Sequence, residues 1–328
     1  MRMGQTLSEP ITTKHSARVY SNTLKVGYSS MQGWRVSMED AHTVLLTVPE
    51  DPDAAFFGVF DGHGGASIAE YASKHLSRHI FMQEHYAKGD IIEAIRRGYL
   101  ELDATMRENE LLRAELAGST AVTVLLKDNK VFCGNAGDSR AIAMVGGNVR
   151  ALSQDHKPTN KIEHDRIKEA GGFVDMNRVN GNLALSRALG DYNFKTSVRK
   201  SAEDQIVTAN PDVTVFETSS EWHFIVLACD GIWDVLTNEE VGSFVAERLA
   251  NDIEPHLICE QLMDRCLAPD GHMGGLGLDN MTVILVVFIN EDNSEPGPSG
   301  RRATVSPRNS EQRMSREPEG QTSLDQTD

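Results

Sequence analysis

From Val26 to about Asn290, short apolar runs of strand character alternate with stretches of helical period. Ala121–Lys127 and Lys130–Cys133 flank Asp128-Asn129, and Arg140–Val145 and Asn148–Leu152 flank Gly146-Gly147. Both dipeptides have the residue types that a two-residue hairpin turn needs. Tight hairpins imply antiparallel pairing, since parallel strands need long crossovers. Helices are expected over 66–80, 90–108, 160–170, 238–249 and 255–267. In the first, Ile68, Ala69, Ala72, Leu76 and Ile80 share one face. Antiparallel sheet with separately packed helices predicts an α+β fold. No internal repeat is found.

The two ends break this pattern. Residues 1–24 are polar without clear periodicity and are expected as a leader ahead of one domain over 25–290. Residues 291–328 are rich in Pro, Gly, Ser, Arg and Glu and hold no aromatic residue. Such a segment buries too little surface to fold alone and is expected to be disordered.

Several strand-like runs end or begin on a carboxylate. Phe57–Phe60 runs into Asp61-Gly62-His63-Gly64-Gly65, and Phe224–Cys229 runs into Asp230-Gly231. Cys133–Ala136 leads through Gly137 to Asp138, Arg35-Val36-Ser37-Met38 leads to Glu39-Asp40, and Asp279-Asn280-Met281-Thr282 opens the run Val283–Ile289. Each alone reads as an ordinary turn. Converging, they would form an oxygen-rich site without a thiolate or imidazole cluster, which suits Mg²⁺ or Mn²⁺ rather than Zn²⁺.

Composition narrows the alternatives. The chain has 328 residues, 40% of them hydrophobic, and a formal charge of −16. Its acidity argues against nucleic-acid binding, which needs clustered Lys and Arg. Cys133, Cys229, Cys259 and Cys266 form no C-x-x-C pair and no zinc-spaced cluster with His, so buried thiols are expected. With no secretory signal and no apolar run near 18 residues, a soluble, monomeric protein of the cytoplasm, with nuclear access left open, is expected.

Taken in order, these segments resemble the metal-dependent protein phosphatase 2C family. The resemblance rests on Met31–Arg35, Asp61–Gly65, Gly118–Ala121, Gly137–Arg140, Asp155–Pro158, Asn180–Leu183, Ser186–Asp191, Asp230–Asp234 and Asp279–Met281. It implies a central sandwich of two antiparallel sheets with helices on both outer faces. It also implies hydrolysis of phosphoserine and phosphothreonine in phosphoprotein substrates by a water activated between two divalent ions.

The resemblance further implies a role for each matched position. Asp61 would bridge the two ions, Asp230 and Asp279 would hold one, and the Gly62 carbonyl the other. Glu39 and Asp40 would act mostly through metal-bound waters, and Asp138 with Asp230 would suit a weaker third ion. Thr120 and Asn280 would support the ligands from behind. Arg35 would fork onto the phosphate, His63 would be the general acid, and Arg178, in the substrate-side flap 171–182, would contact the phosphoprotein. His42, His156 and His164 are expected to be structural or exposed.

Cys259–Arg265 has the C-x₅-R spacing of cysteine-dependent phosphatases. It lies in an expected amphipathic helix with no Gly and adds two carboxylates, so it cannot cradle phosphate. A catalytically dead binding module and a hydrolase of small phosphate esters are the rival readings. The intact Asp61, Asp230 and Asp279 disfavour the first. Met3–Ser8 matches an N-myristoylation pattern at Gly4, which would give reversible membrane association were Met3 the start. Arg301–Thr304 and Ser306-Pro307 resemble kinase sites.

Overall fold

The computed structural model describes residues 6–271 and 276–289. Its strands are β1 (Thr6–Tyr20), β2 (Leu24–Arg35), β3 (Ala41–Leu45), β4 (Ala55–Phe60), β5 (Gly62–His63), β6 (Gly118–Ser119), β7 (Ala121–Lys127) and β8 (Lys130–Ala136). They continue as β9 (Arg140–Val145), β10 (Asn148–Ala151), β11 (Val174–Asp175), β12 (Arg178–Val179), β13 (Leu189–Gly190), β14 (Asp212–Glu217), β15 (Trp222–Ala228) and β16 (Met281–Phe288). The helices are α1 (Ser67–Phe81), α2 (Glu84–Ala87), α3 (Ile91–Glu108), α4 (Glu110–Ala114), α5 (Lys161–Glu169), α6 (Asp230–Trp233), α7 (Asn238–Leu249) and α8 (Pro255–Cys266).

Two antiparallel sheets dominate, one in the order β1-β2-β16-β15-β9-β10 and one in the order β14-β8-β7-β4-β3. The alternation of side chains along each strand shows how they stack. In β15, Ile225 and Leu227 join Phe57 and Val59 of β4 and Val122 and Val124 of β7 in a core between the sheets. Phe224, Val226 and Ala228 point the other way, onto Val241 and Val245 of α7 and Ile258 and Leu262 of α8. Phe56 and Phe60 of β4 pack outward on α1 and α3, against Leu76, Ile80, Ile95 and Leu102. The result is the four-layer helix–sheet–sheet–helix sandwich.

Local signals explain the elements. Asp128 and Asn129, at φ 50° and 56°, close the β7–β8 hairpin, and Gly146 and Gly147, at 56° and 79°, close β9–β10. Thr237 and Glu240 form a reciprocal capping box at the start of α7. Tyr99 of α3 sends its hydroxyl into the β14-β8-β7-β4-β3 sheet, 2.9 Å from Thr123 Oγ1 and 3.2 Å from the Gly134 carbonyl.

One boundary is corrected. The expected leader is largely a strand: β1 pairs antiparallel with β2 from Thr6 to Tyr20, and the folded domain begins well before residue 25. β1 is an edge strand with irregular register between Thr6 and Lys14 and mostly open faces. No buried side demanded a two-residue period, so none was visible. Gly4 and the tail 291–328, with Thr304 and Ser306, lie outside the described residues.

Gly27 of β2 lies against the first turn of α8. A methyl group there would overlap the backbone of Pro255 and His256, and neither is a flexible side-chain end. We expect Gly27→Ala to lower stability by about 1–3 kcal/mol in urea unfolding. Unchanged stability would show that α8 is not pinned to β2 at this point.

Candidate active site

The candidate carboxylates sit at strand ends of both sheets, along one end of the sandwich. Asp61 follows β4, Asp230 begins α6 just after β15, and Asp279 precedes β16. Glu39 and Asp40 lie between β2 and β3, whose Ala41 pairs with Phe60 of β4. Ligand atoms of Asp40, Asp61 and Cys229 all lie within 4.8 Å of one another, so the two sheets deliver donors to one spot. Gly62 is required here: a Cβ would overlap the Glu39 carbonyl oxygen, so only glycine lets β5 pass this loop.

Supporting hydrogen bonds fix these donors. Thr120 brackets Asp61: its Oγ1 accepts the Asp61 N–H at 3.1 Å, and its own N–H donates to the Asp61 carbonyl at 2.9 Å. Asn280 ties three segments together. Its Oδ1 accepts the Glu39 N–H at 2.9 Å, and its Nδ2 donates to the carbonyls of Gln32 and Ser37 at 2.8 and 3.0 Å. Thr282 Oγ1 donates to Asp40 Oδ2 at 2.8 Å. Glu39 accepts from Ser37 Oγ at 2.8 Å and from the Gly65 N–H at 3.1 Å.

The electrostatics identify what this cluster could hold. Desolvation, followed by the charges of Asp230, Asp40, Asp279 and Asp138, raises the Asp61 pKa well above the carboxylate range. Asp230 is raised in the same way, by desolvation and then by Asp138 and Asp279. Asp40 is pushed up to about 7, chiefly by desolvation. Asp40 Oδ1 is buried without a hydrogen-bond partner among the described residues. Crowded carboxylates with an orphaned oxygen fit hard divalent cations of the Mg²⁺ or Mn²⁺ kind. The Cys229 thiol does not compete as a ligand. Burial and the neighbouring carboxylates hold it protonated, and its Sγ accepts the Thr282 N–H at 3.1 Å.

The remaining expected residues divide. Arg35 is at the site, paired with Asp279, and its side chain is 39% exposed. His63 is at the site, with Nε2 2.7 Å from Asp191 Oδ2. Desolvation opposes its charged form, but Asp191 and more distant carboxylates outweigh this and raise its pKa. Asp138 is buried and carries an ion pair with Lys157. Arg178 lies in the β11–β12 flap, and its guanidinium donates to the Asn182 carbonyl at 2.8 Å, within the flap itself. His156 is structural, accepting the Gly137 N–H at 3.2 Å and facing Asp212 at 3.1 Å. Cys259 is buried in α8, so the C-x₅-R spacing is helical.

Sequence reasoning missed three participants: Asp191, Lys157 and Thr282. Asp191 and Lys157 stood inside matched segments without a role, and nothing in their spacing pointed to their partners.

A carboxylate whose folded pKa is raised favours the fold at low pH and loses that contribution as pH rises through the folded value. In chelator, the melting temperature should therefore fall between pH 5 and 7.5, where Asp40 titrates. Asp40→Asn should flatten the decline, and Mg²⁺ should reverse it. An equal decline in the variant would remove Asp40 as its source.

Comparison with known proteins agrees with this geometry. The family model described as protein phosphatase 2C matches residues 24–272. A probable protein phosphatase 2C of Caenorhabditis elegans is 57% identical over 284 residues, 87% of this chain and 80% of its own length. Protein phosphatase 2C homolog 2 of Schizosaccharomyces pombe is 45% identical over 292 residues, 88% of this chain and 79% of its own. Among solved structures, a Toxoplasma gondii phosphatase superposes with a TM-score of 0.72 at 28% identity, covering 84% of this chain and 95% of that one. A family model spanning most of the domain, close relatives over most of its length and a shared sandwich place this chain in the protein phosphatase 2C family of metal-dependent protein-serine/threonine phosphatases.

Proposed function

We propose that this chain hydrolyses phosphoserine and phosphothreonine in phosphoprotein substrates, with Asp61, Asp230, Asp279 and the Gly62 carbonyl holding a pair of Mg²⁺ or Mn²⁺ ions. The observation that carries this reading is the meeting of Asp40 and Asp61 at strand ends, with Asp230 and Asp279 as their charged neighbours and Arg35 paired with Asp279. When bound, such ions supply positive charge and lower the pKa of a coordinated water.

The chain's own residues do the rest. Glu39 and Asp40 accept hydrogen bonds from waters at the site, and Thr120 and Asn280 keep the carboxylates in register. Arg35 engages Asp279 through Nη2, which leaves its other N–H donors for the phosphoryl oxygens. The P–O bond to the serine or threonine oxygen breaks as a water oxygen bonds to phosphorus. His63 gives its proton to the departing alkoxide, a poor leaving group that needs one. A third, weaker cation at Asp138 and Asp230 would compete with Lys157 for the Asp138 carboxylate. The flap carrying Arg178 would face the phosphoprotein, a reading supported by the family resemblance alone.

Asp61→Asn or Asp230→Asn should abolish hydrolysis of a phosphothreonine peptide in Mn²⁺ or Mg²⁺ while leaving the protein folded. Chelator should do the same to the unmodified protein. Wild-type rates in either purified variant would overturn the ligand assignment. Phosphopeptides should be cleaved more efficiently than free phosphoamino acids, and the reverse order would favour a small-ester hydrolase.

A further inference from the structure

The segment 188–195 carries a buried carboxylate that the scheme above leaves unused. Asp191 follows β13, its side chain is 7% exposed, and its Oδ2 faces Nε2 of His63. Three two-residue strands bring them together: His63 of β5 pairs with Gly118 of β6, and Gly118 pairs with Gly190 of β13. Gly118 makes the room. A methyl group there would overlap the Asp191 carboxylate and lie 2.6 Å from His63 Nε2.

The backbone of Asp191 is held as firmly as its side chain. It takes the left-handed conformation, φ 50° and ψ 40°, which Asp and Asn adopt more readily than other side-chain-bearing residues. Its N–H donates to the Ala117 carbonyl at 3.0 Å. The Gly190 N–H donates to Asp103 Oδ1 at 2.8 Å, and Asp103 takes the Lys195 ammonium at 2.8 Å on each oxygen. Lys195 reaches back to the Ala188 carbonyl at 2.8 Å. One ion pair thus clamps both ends of the segment, and a sparsely populated backbone conformation is over-determined by its surroundings.

We infer that Asp191 is a positioning residue for His63, an inference that rests on the proposed proton-donor role of His63. Asp191 accepts the Nε2–H, which leaves Nδ1 as the ring nitrogen that meets the leaving oxygen. The imidazole makes no other hydrogen bond among the described residues. A ring held this way delivers its proton without first losing rotational freedom.

The test separates leaving groups. Removing general-acid catalysis slows esters of alcohols, whereas an aryl oxide such as p-nitrophenolate departs without a proton. Asp191→Ala should slow a phosphothreonine peptide at least about tenfold more than p-nitrophenyl phosphate, within the range that general acids supply. Asp191→Asn, at home in the left-handed conformation and still an acceptor, should recover part of the loss. His63→Gln should show the same split, and the double variant should be no slower on the peptide than His63→Gln alone. Equal losses on both substrates in Asp191→Ala, or additive losses in the double variant, would overturn the inference while the His63 split stands. Absence of a split in His63→Gln itself would instead remove the proton-donor reading and the inference with it. A measurement that needs no variant is ¹⁵N NMR of His63 at a pH where the ring is neutral. Protonated Nε2 is expected, and a proton on Nδ1 would overturn the inference.

Discussion

Mutual repulsion among carboxylates at one end of the sandwich is the constraint that the rest of the site answers to. Asp40, Asp61 and Asp230 are all pushed toward protonation, by desolvation first and then by carboxylate neighbours. Near neutral pH such a cluster must hold protons or attract cations. Among the described residues, two basic side chains are paired with its members, Arg35 with Asp279 and Lys157 with Asp138. The fold maintains the arrangement because its cost is met elsewhere, by three large apolar cores on and between the sheets.

Strand termini are what make the clustering feasible. Inside either sheet, successive side chains point to opposite faces, and both faces are occupied by core. Only where β4, β15 and β16 end or begin can carboxylates from both sheets turn toward one another. Thr120, Asn280 and Thr282 hold those ends with neutral hydrogen bonds, which add no further charge. The small sheet β13-β6-β5 uses the same device to seat His63 beside Asp191.

Much of this was legible in the sequence, for physical reasons. Helix periodicity located α1, α3, α5, α7 and α8 to within two residues, and Asp128-Asn129 and Gly146-Gly147 marked their hairpins because positive φ demands such residues. The ordered strand-end aspartates carried the family resemblance. Other features depend on partners far away in the chain. The order β1-β2-β16-β15-β9-β10 joins residues more than 240 positions apart, which no local period encodes. β1 escaped notice because an edge strand with open faces has no buried side to impose alternation. Asp191 escaped because strands of two residues leave no periodic trace, and its role exists only once Gly118 and His63 stand beside it.

The central claim is that this end of the folded sandwich is a preformed cation site. Calorimetric titration of chelator-treated protein with Mn²⁺ tests it most directly, alongside Asp61→Asn. The account predicts about two ions bound per chain, as expected of a binuclear carboxylate site, with the fold unchanged by circular dichroism and binding sharply weakened in the variant. Folded wild-type protein that binds no Mn²⁺, or a variant that binds as the wild type does, would contradict it.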